Sequence, residues 1–243
     1  MTLNPNNMIY IDYGDTHTHL LSFYLAMEEY VARFLYRGED CFFMWQVAPS
    51  VICGRNQVIE NEVNVDYCKA HHIKLFRRKS GGGCVYADMS NVMLSYITGE
   101  ENIKEAFNRY MELLSHALQQ MHIPAERNDH NDILLGGHKI SGNAIWHIPG
   151  RTIAHGTLLY DTEIENMMNA ITPSKAKLNK NGVESVRQRI TLLKDHTDIP
   201  LEDVKKTLRS YICDKSIILS QSDFETIGLI EKEYLLPDFI YSK

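Results

Sequence analysis

No stretch of this 243-residue chain stays apolar for the roughly 18 residues that a membrane-spanning helix needs. The polar opening, Met1 to Asn7, has no apolar core of the kind a secretory signal carries. Cysteine is scarce, with five residues, an odd number that contains no CxxC pair. Reduced thiols are therefore expected and disulfides are not. An excess of positive charge is also missing: the formal net charge is -6, which argues against general nucleic-acid binding, since that needs a basic face. There is no repeat, no low-complexity tract and no clear linker. Residues 1–243 are expected to form one domain of a cytoplasmic protein, with no membrane or nucleic-acid partner.

Ordinary apolar and charged fractions, 44% and 23%, leave room for a substantial core. Strands are expected over 8–12, 41–47, 51–53, 73–76, 84–86, 91–97, 133–135, 140–147 and 152–160, with 41–47 and 51–53 paired across a turn at Pro49-Ser50. Helical spacing of apolar residues predicts an amphipathic helix over 19–36 and further helices over 65–72, 103–121, 163–170 and 201–213. Pro124 stops the helix over 103–121. Many strands with interspersed helices indicate an α+β fold of mixed β-sheets flanked by α-helices. Residues 231–243 show no clear period.

The run Arg77-Arg78-Lys79-Ser80-Gly81-Gly82-Gly83-Cys84-Val85-Tyr86 is the most informative segment. Three glycines remove every Cβ where the backbone bends, and three cations precede them. Such a strand–loop–strand element suits an anion, a phosphate above all, through main-chain N–H groups. Taken alone it also fits an exposed hairpin with solvated charges. Further along, Lys139 follows the Gly136-Gly137 turn and precedes Ser141-Gly142. A lysine there can meet a phosphate or carboxylate as a compact cation, or sit exposed at a strand edge. Asp132 is the carboxylate best placed for Mg²⁺, which takes one or two carboxylates together with substrate oxygens; an ordinary turn aspartate is the alternative. His17, His19, His71, His72 and His116 form no metal-ligand pattern.

These segments, taken in order, resemble the motifs of the lipoate–protein ligase A family. They are Arg77-Arg78 with Gly81-Gly82-Gly83, Val85-Tyr86 and Asp88; Asn131-Asp132; Lys139-Ile-Ser-Gly-Asn-Ala; and His155-Gly-Thr-Leu-Leu. Leu25-Ala-Met-Glu-Glu, Pro49 to Gln57 and Ser185 to Ile190 add to the likeness, which covers about residues 20–195. The resemblance implies a biotin/lipoate ligase-type catalytic domain. It implies activation of lipoate by ATP with Mg²⁺ to lipoyl-AMP, then transfer to a lysine of a lipoyl carrier domain. Such carriers are the glycine-cleavage H protein and the E2 subunit of a 2-oxoacid dehydrogenase.

Carried over by position, the resemblance assigns ATP contacts to Arg78, Gly83, Cys84, Val85, Tyr86 and Lys139. It assigns lipoate contacts to Lys139, Arg78, Gly82 and His155, metal binding to Asp132 beside Asn131, and the catalytic role to Lys139. Val85, Tyr86 and Ile145 are expected to line the acyl slot. Cys84 stands where the family has alanine, Ala87 where it has histidine, and His138 where it has arginine. Relatives that use no ATP employ a cysteine nucleophile, which belongs to a loop before the lysine motif; Cys84 reads instead as a small packing residue. Family members often carry a C-terminal accessory domain, for which this chain is expected to be too short; some supply it as a separate protein. The alternative readings are an ATP-independent octanoyl or lipoyl transferase, or a non-catalytic acyl- or nucleotide-binding module that needs a partner subunit.

Overall fold

The runs Cys41–Trp45 and Asn91–Thr98 carry apolar side chains at odd and even positions alike, so both faces of any sheet they form must be covered. A computed structural model describes residues 8–14, 17–128, 131–171 and 189–242 and shows how. The strands are β1 Ile9–Asp12, β2 Cys41–Trp45, β3 Ser50–Cys53, β4 Lys74–Arg77, β5 Val85–Ala87 and β6 Asn91–Thr98. They continue with β7 Ala125–Arg127, β8 Asp132–Leu135, β9 His138–Ile148, β10 Arg151–Leu159 and β11 Lys215–Ile218. The helices are α1 Leu21–Tyr30, which widens into a π-turn over Val31–Leu35, α2 Ile59–Glu62, α3 Val65–Ala70 and α4 Ile103–Gln119. After them come α5 Ile164–Ala170, α6 Leu201–Ile212, α7 Gln221–Tyr234 and α8 Pro237–Ile240.

Eight strands form a mixed sheet in the order β11-β1-β2-β6-β10-β9-β8-β7, parallel across β11-β1-β2 and antiparallel beyond. Alternate residues divide two cores between its faces. Phe42, Met44, Val92, Leu94 and Tyr96 pack with α4 and α6, whereas Phe43, Trp45, Met93 and Ile97 pack with α1 and α7. A second sheet, β4-β3-β5, turns Ile52, Phe76 and Ala87 toward the α1 core. Its opposite face, Val51, Cys53 and Tyr86, is covered by residues of α3 and α5. Among the described residues no helix is long and apolar enough to cross a membrane.

The mixed sheets and flanking helices match the expected class, with four departures. Segments 41–45 and 50–53 do not pair with each other: β2 belongs to the large sheet and β3 to the small one. Strands β4 and β5 are not a hairpin, because β3 lies between them and the glycine loop crosses over it. Helix α1 is not amphipathic, since all ten of its residues are buried. Its acidic residues survive there because each is paired, and α7 covers its outer side. Finally, β7, β11, α7 and α8 carry too few apolar positions in a regular period to stand out in the sequence.

Helices α7 and α8 are anchored by the cations that precede the glycines. Arg77, 2% exposed, donates to the carbonyls of Gly54, Arg55, Gln57, Ile240 and Ser242 at 2.8–3.1 Å. Lys79 bridges Glu29 (2.9 Å) and Glu233 (2.7 Å) and lies over the ring of Tyr234. Glu29 also accepts from Arg33 and from the Tyr234 hydroxyl. Burial pushes the Glu29 carboxyl up, but the bonds from Lys79 and Arg33 outweigh it and hold the group below its ordinary value. A depressed carboxyl adds stability above its unfolded value of ~4.3, and this is lost as pH falls through the lower folded value. Lys79→Met should therefore cost about 3 kcal/mol at neutral pH, as loss of one partner of a buried pair does. Urea unfolding should show that cost shrinking as the pH falls through the lowered folded value of Glu29 and the carboxylate takes up its proton. A cost independent of pH would rule out the pair as its source.

Candidate functional site

The glycine loop is supported from beneath by Arg78, which is 5% exposed. Its guanidinium donates to the carbonyls of Ile52 (3.1 Å), Gly81 (2.7 and 3.2 Å) and Gly83 (2.8 Å). Four of the five N–H donors of a guanidinium thus hold the main chain of the loop and of β3. Gly82, at φ +89°, adopts a conformation that favours glycine, and a Cβ there would meet the Arg78 guanidinium at 2.9 Å. Gly54 is required for a different reason: a Cβ on it would lie 2.1 Å from the Gly82 carbonyl oxygen. The three cations therefore have separate duties. Arg77 and Lys79 secure the C-terminal helices, and Arg78 shapes the loop.

Lys139 reaches the site through an irregularity in β9. Gly136 (φ +58°) and Gly137 (φ +80°) form the two-residue turn from β8, a conformation only glycine takes readily at both positions. Asp132 pairs with Gly142 and Leu134 with Lys139, so the register shifts between Ile133 and Leu134. The additional residue in β9 turns Lys139 to the face occupied by Gly142 and Ala144, which simple alternation denies it. Its ammonium lies 2.8 Å from Asp132 Oδ1. The glycine at 142 makes room for it, since a Cβ there would meet Nζ at 2.6 Å. The backbone of Lys139 is fixed by Arg189 O and Thr191 N at 2.7 and 3.0 Å. Of the segment Ser185 to Ile190, only Arg189 and Ile190 lie within the described residues.

His155 is 8% exposed and joins a buried polar chain. Its Nδ1 lies 2.8 Å from Glu28 Oε2, and its Nε2 lies 2.7 Å from Ser80 Oγ. With Nδ1–H donated to the carboxylate, Nε2 is left to accept a hydrogen bond from the Ser80 hydroxyl. Glu28 also accepts from Ser95, which accepts from the Trp45 indole N–H at 2.9 Å. The chain ties the residue before the glycines to α1 and to the centre of the large sheet.

Two adjoining cavities lie between the sheets. The smaller, about 210 Å³, has apolar walls of Leu25, Trp45, Ile52, Val85 and Met93, and a polar side of Arg78, Lys139, Asn143, His155 and Thr157. The larger, about 490 Å³, is lined by Asn128, Asp132, Lys139 and Arg189 together with Tyr86, Leu159, Met167, Met168, Ile171 and Ile190. Cys84, Val85, Lys139, Gly142 and Thr157 belong to both.

Of the residues proposed from the sequence, Arg78, Gly82, Gly83, Cys84, Val85, Lys139 and His155 line the smaller cavity. Tyr86 and Asp132 line the larger. Ile145 lines neither, because alternation turns it toward α4, where it packs on the core with Phe107. Tyr86 faces away from the apolar slot for the same reason. Asn131, at φ +72°, takes no place in either wall; its carbonyl accepts from the Asn143 amide at 3.0 Å. His138 is exposed and turned to the Gly136 carbonyl, while Ala87 is fully buried among apolar side chains. Asp88 is structural, accepting from Ser90 N, Thr162 Oγ1 and Glu163 N. Leu25, Trp45, Ile52 and Met93 were missed as slot residues. Trp45 and Met93 are cross-strand partners on one face, a signal that needs the β2–β6 register.

Cys84 donates its S–H to the sulfur of Cys53 at 3.4 Å. That hydrogen bond, with burial, pushes the Cys84 thiol far above the ordinary range. It pulls Cys53 the other way, against burial and with help from Arg77 and Arg78.

Two glycine substitutions separate the loop from the lysine. Gly54→Ala drives a methyl into backbone and should cost about 1–3 kcal/mol in urea unfolding. Gly142→Ala meets only the movable end of Lys139 and should leave stability nearly unchanged. Equal losses in both would show that the contacts at Gly54 and Gly142 are not those described.

The model of the lipoyl protein ligase A/B catalytic domain matches residues 21–213. Lipoate–protein ligase 1 of Staphylococcus aureus is 37% identical over 216 residues, 86% of this chain and 66% of that protein. The lipoate-protein ligase LplJ of Bacillus subtilis is 32% identical over 236 residues, 93% of this chain and 71% of that one. The chain thus spans about two thirds of the length of these relatives. The fold agrees with that of a bi-partite lipoate protein ligase from Thermoplasma acidophilum, at a TM-score of 0.82 and 23% identity, covering 96% and 94% of the two chains. It also agrees with a lipoate-protein ligase A bound with ATP, at a TM-score of 0.80 and 23% identity, covering 97% and 98%. The chain belongs to the lipoyl protein ligase A/B catalytic-domain family.

Proposed function

We propose that this chain is the catalytic domain of an ATP-dependent lipoate–protein ligase. The observation that carries the reading is the position of Lys139, whose side chain borders the apolar slot and the larger polar cavity at once. A carboxylate at the end of an acyl chain in the slot and the α-phosphate of a nucleotide in the larger cavity would meet at its ammonium. A carboxylate oxygen attacks the α-phosphorus, the bond to the bridging oxygen breaks, and pyrophosphate leaves. Both reactants are anions, so a cation between them removes repulsion and holds them in line. The same ammonium stabilises the carbonyl oxygen when the amine of an acceptor lysine later displaces AMP. Arg78 adds positive charge on the slot side, and the glycine loop covers the junction.

Among the described residues no cluster of three or more His, Cys, Asp or Glu could hold a metal alone. Asp132, in the wall of the larger cavity, suits Mg²⁺ of the kind held by one carboxylate and substrate phosphates. When bound there, Mg²⁺ supplies neutralisation of the pyrophosphate charge. His155 and Gly82 shape the slot through the Ser80–His155–Glu28 chain and the positive φ of the loop. Tyr86, Met167 and Met168 give the larger cavity an apolar wall against which a base can rest.

The acceptor is a lipoyl carrier domain, of an H protein or an E2 subunit. The archaeal ligase of the same fold, described together with its E2 lipoyl domain, supports that choice. Its bi-partite make-up also supports a separate accessory protein as a second partner. The alternative, an ATP-independent transferase working through a thioester, needs a thiolate on the cavity wall. Cys84 is the cysteine there, and its hydrogen bond to Cys53 and its burial push its thiol far above the ordinary range, so its resting form is not the thiolate that an acyl acceptor needs.

Lipoate, ATP and Mg²⁺ together should release pyrophosphate and form lipoyl-AMP. Lys139→Ala should lower the rate by about 10²–10³, the scale of losing one charge-stabilising group, with stability unchanged. Gly142→Ala should act in the same direction. Absence of pyrophosphate, with carrier domains and candidate accessory proteins supplied, would refute the ligase reading.

A further inference from the structure

The two sulfurs at the loop's edge take no bond-making step in the proposed adenylation, yet their placement is specific. β3 and β5 run antiparallel with Val51 opposite Tyr86 and Ile52 opposite Val85, so the next step of the register sets Cys53 opposite Cys84. Their sulfurs are 3.4 Å apart. Cys53 is fully buried, whereas Cys84 is partly exposed and lines both cavities. A small oxidant entering either cavity therefore meets Cys84 with a second thiol directly behind it. The arrangement also favours the second step, because Cys53 has its proton withdrawn toward solution by two neighbouring guanidiniums and by the Cys84 S–H.

We propose that Cys53 and Cys84 form an oxidisable dithiol site that takes a peroxide as its co-reactant and closes to an intramolecular disulfide. When Cys53 gives up its proton to solution, the Cys84 proton passes to it across the S–H···S contact. The Cys84 thiolate attacks one peroxide oxygen, the O–O bond breaks as the S–O bond forms, and the hydroxide released takes up a proton and leaves as water. The Cys53 sulfur then attacks the Cys84 sulfur, the S–O bond breaks, and a second water carries off the oxygen. Two thiols are oxidised by two electrons and one peroxide is reduced to two waters. Closing the bond draws the sulfurs from 3.4 Å to the ~2.05 Å of a disulfide, about 1.3 Å nearer. The movement carries Gly83 and Val85 with Cys84, and with them the wall shared by the two cavities. Cys68, the other buried cysteine of the same core cluster, lines neither of these two cavities and is the competing partner for Cys53.

The chemical claim is independent of the ligase reading; its effect on turnover rests on that reading. The reduced protein, treated with hydrogen peroxide, blocked with an alkylating agent and digested without reductant, should yield one cross-linked pair of peptides. That pair should contain Cys53 and Cys84, two hydrogens lighter than the separate peptides, and dithiothreitol should reverse it. Cys53→Ser should abolish the cross-link and leave Cys84 alkylatable or over-oxidised. Full alkylation of all five cysteines after peroxide, or a Cys53–Cys68 cross-link instead, would overturn the proposal. Pyrophosphate release should fall at least tenfold on oxidation of the parent protein and far less in Cys53→Ser. A mapped Cys53–Cys84 bond in a protein with no turnover to lose would count against the ligase reading and not against the dithiol.

Discussion

Three consecutive cations, all largely withdrawn from solvent, are the constraint around which this molecule is built. A buried guanidinium or ammonium is tolerated only when its donors are met, so each of Arg77, Arg78 and Lys79 dictates where acceptors must lie. Arg77 collects carbonyls from the loop after β3 and from the last turn of the chain. Lys79 draws α1 and α7 together through Glu29 and Glu233. Arg78 is left to organise the glycines, whose carbonyls turn inward to it. The loop owes its rigidity to these buried partners, and its glycines permit the shape without imposing it.

The opposite wall depends on a second local device. A register shift in β9 turns Lys139 to the cavity face, a two-glycine turn starts the strand, and the missing Cβ at residue 142 leaves room for the ammonium. Asp132 holds that ammonium in an ion pair that is partly exposed. A pair of this kind is weak, so in the proposed reaction it can be exchanged for a carboxylate and a phosphate without a large cost. Strong electrostatics in the structure are reserved for the back of the loop, and exchangeable electrostatics face the cavities.

Much of this was legible in the sequence, and the limits have physical causes. The glycine triplet, Lys139 and Asp132 stood out because their residue types serve few other purposes in that order. Arg77 and Lys79 looked like site cations because charge in a sequence carries no direction; only the partners at Glu29, Glu233 and the C-terminal carbonyls reveal their structural duty. Trp45 and Met93 were invisible as slot residues because a strand buried on both faces has no polar alternation to mark the functional side. Ile145 was misassigned because the irregularity in β9 cannot be counted without knowing the register. Helix α7 escaped notice because it buries just two residues, Ile227 and Tyr234.

In the proposed ligase, one ammonium stands at the meeting point of an acyl slot and a nucleotide cavity. The most direct measurement is a crystal structure with a non-hydrolysable lipoyl-adenylate analogue. The acyl chain should lie against Trp45 and Met93, the nucleoside against Tyr86 and Met167, and the linking group within hydrogen-bond distance of Lys139 Nζ. An analogue lying wholly in one cavity, with Lys139 still paired to Asp132 and remote from the linkage, would contradict it.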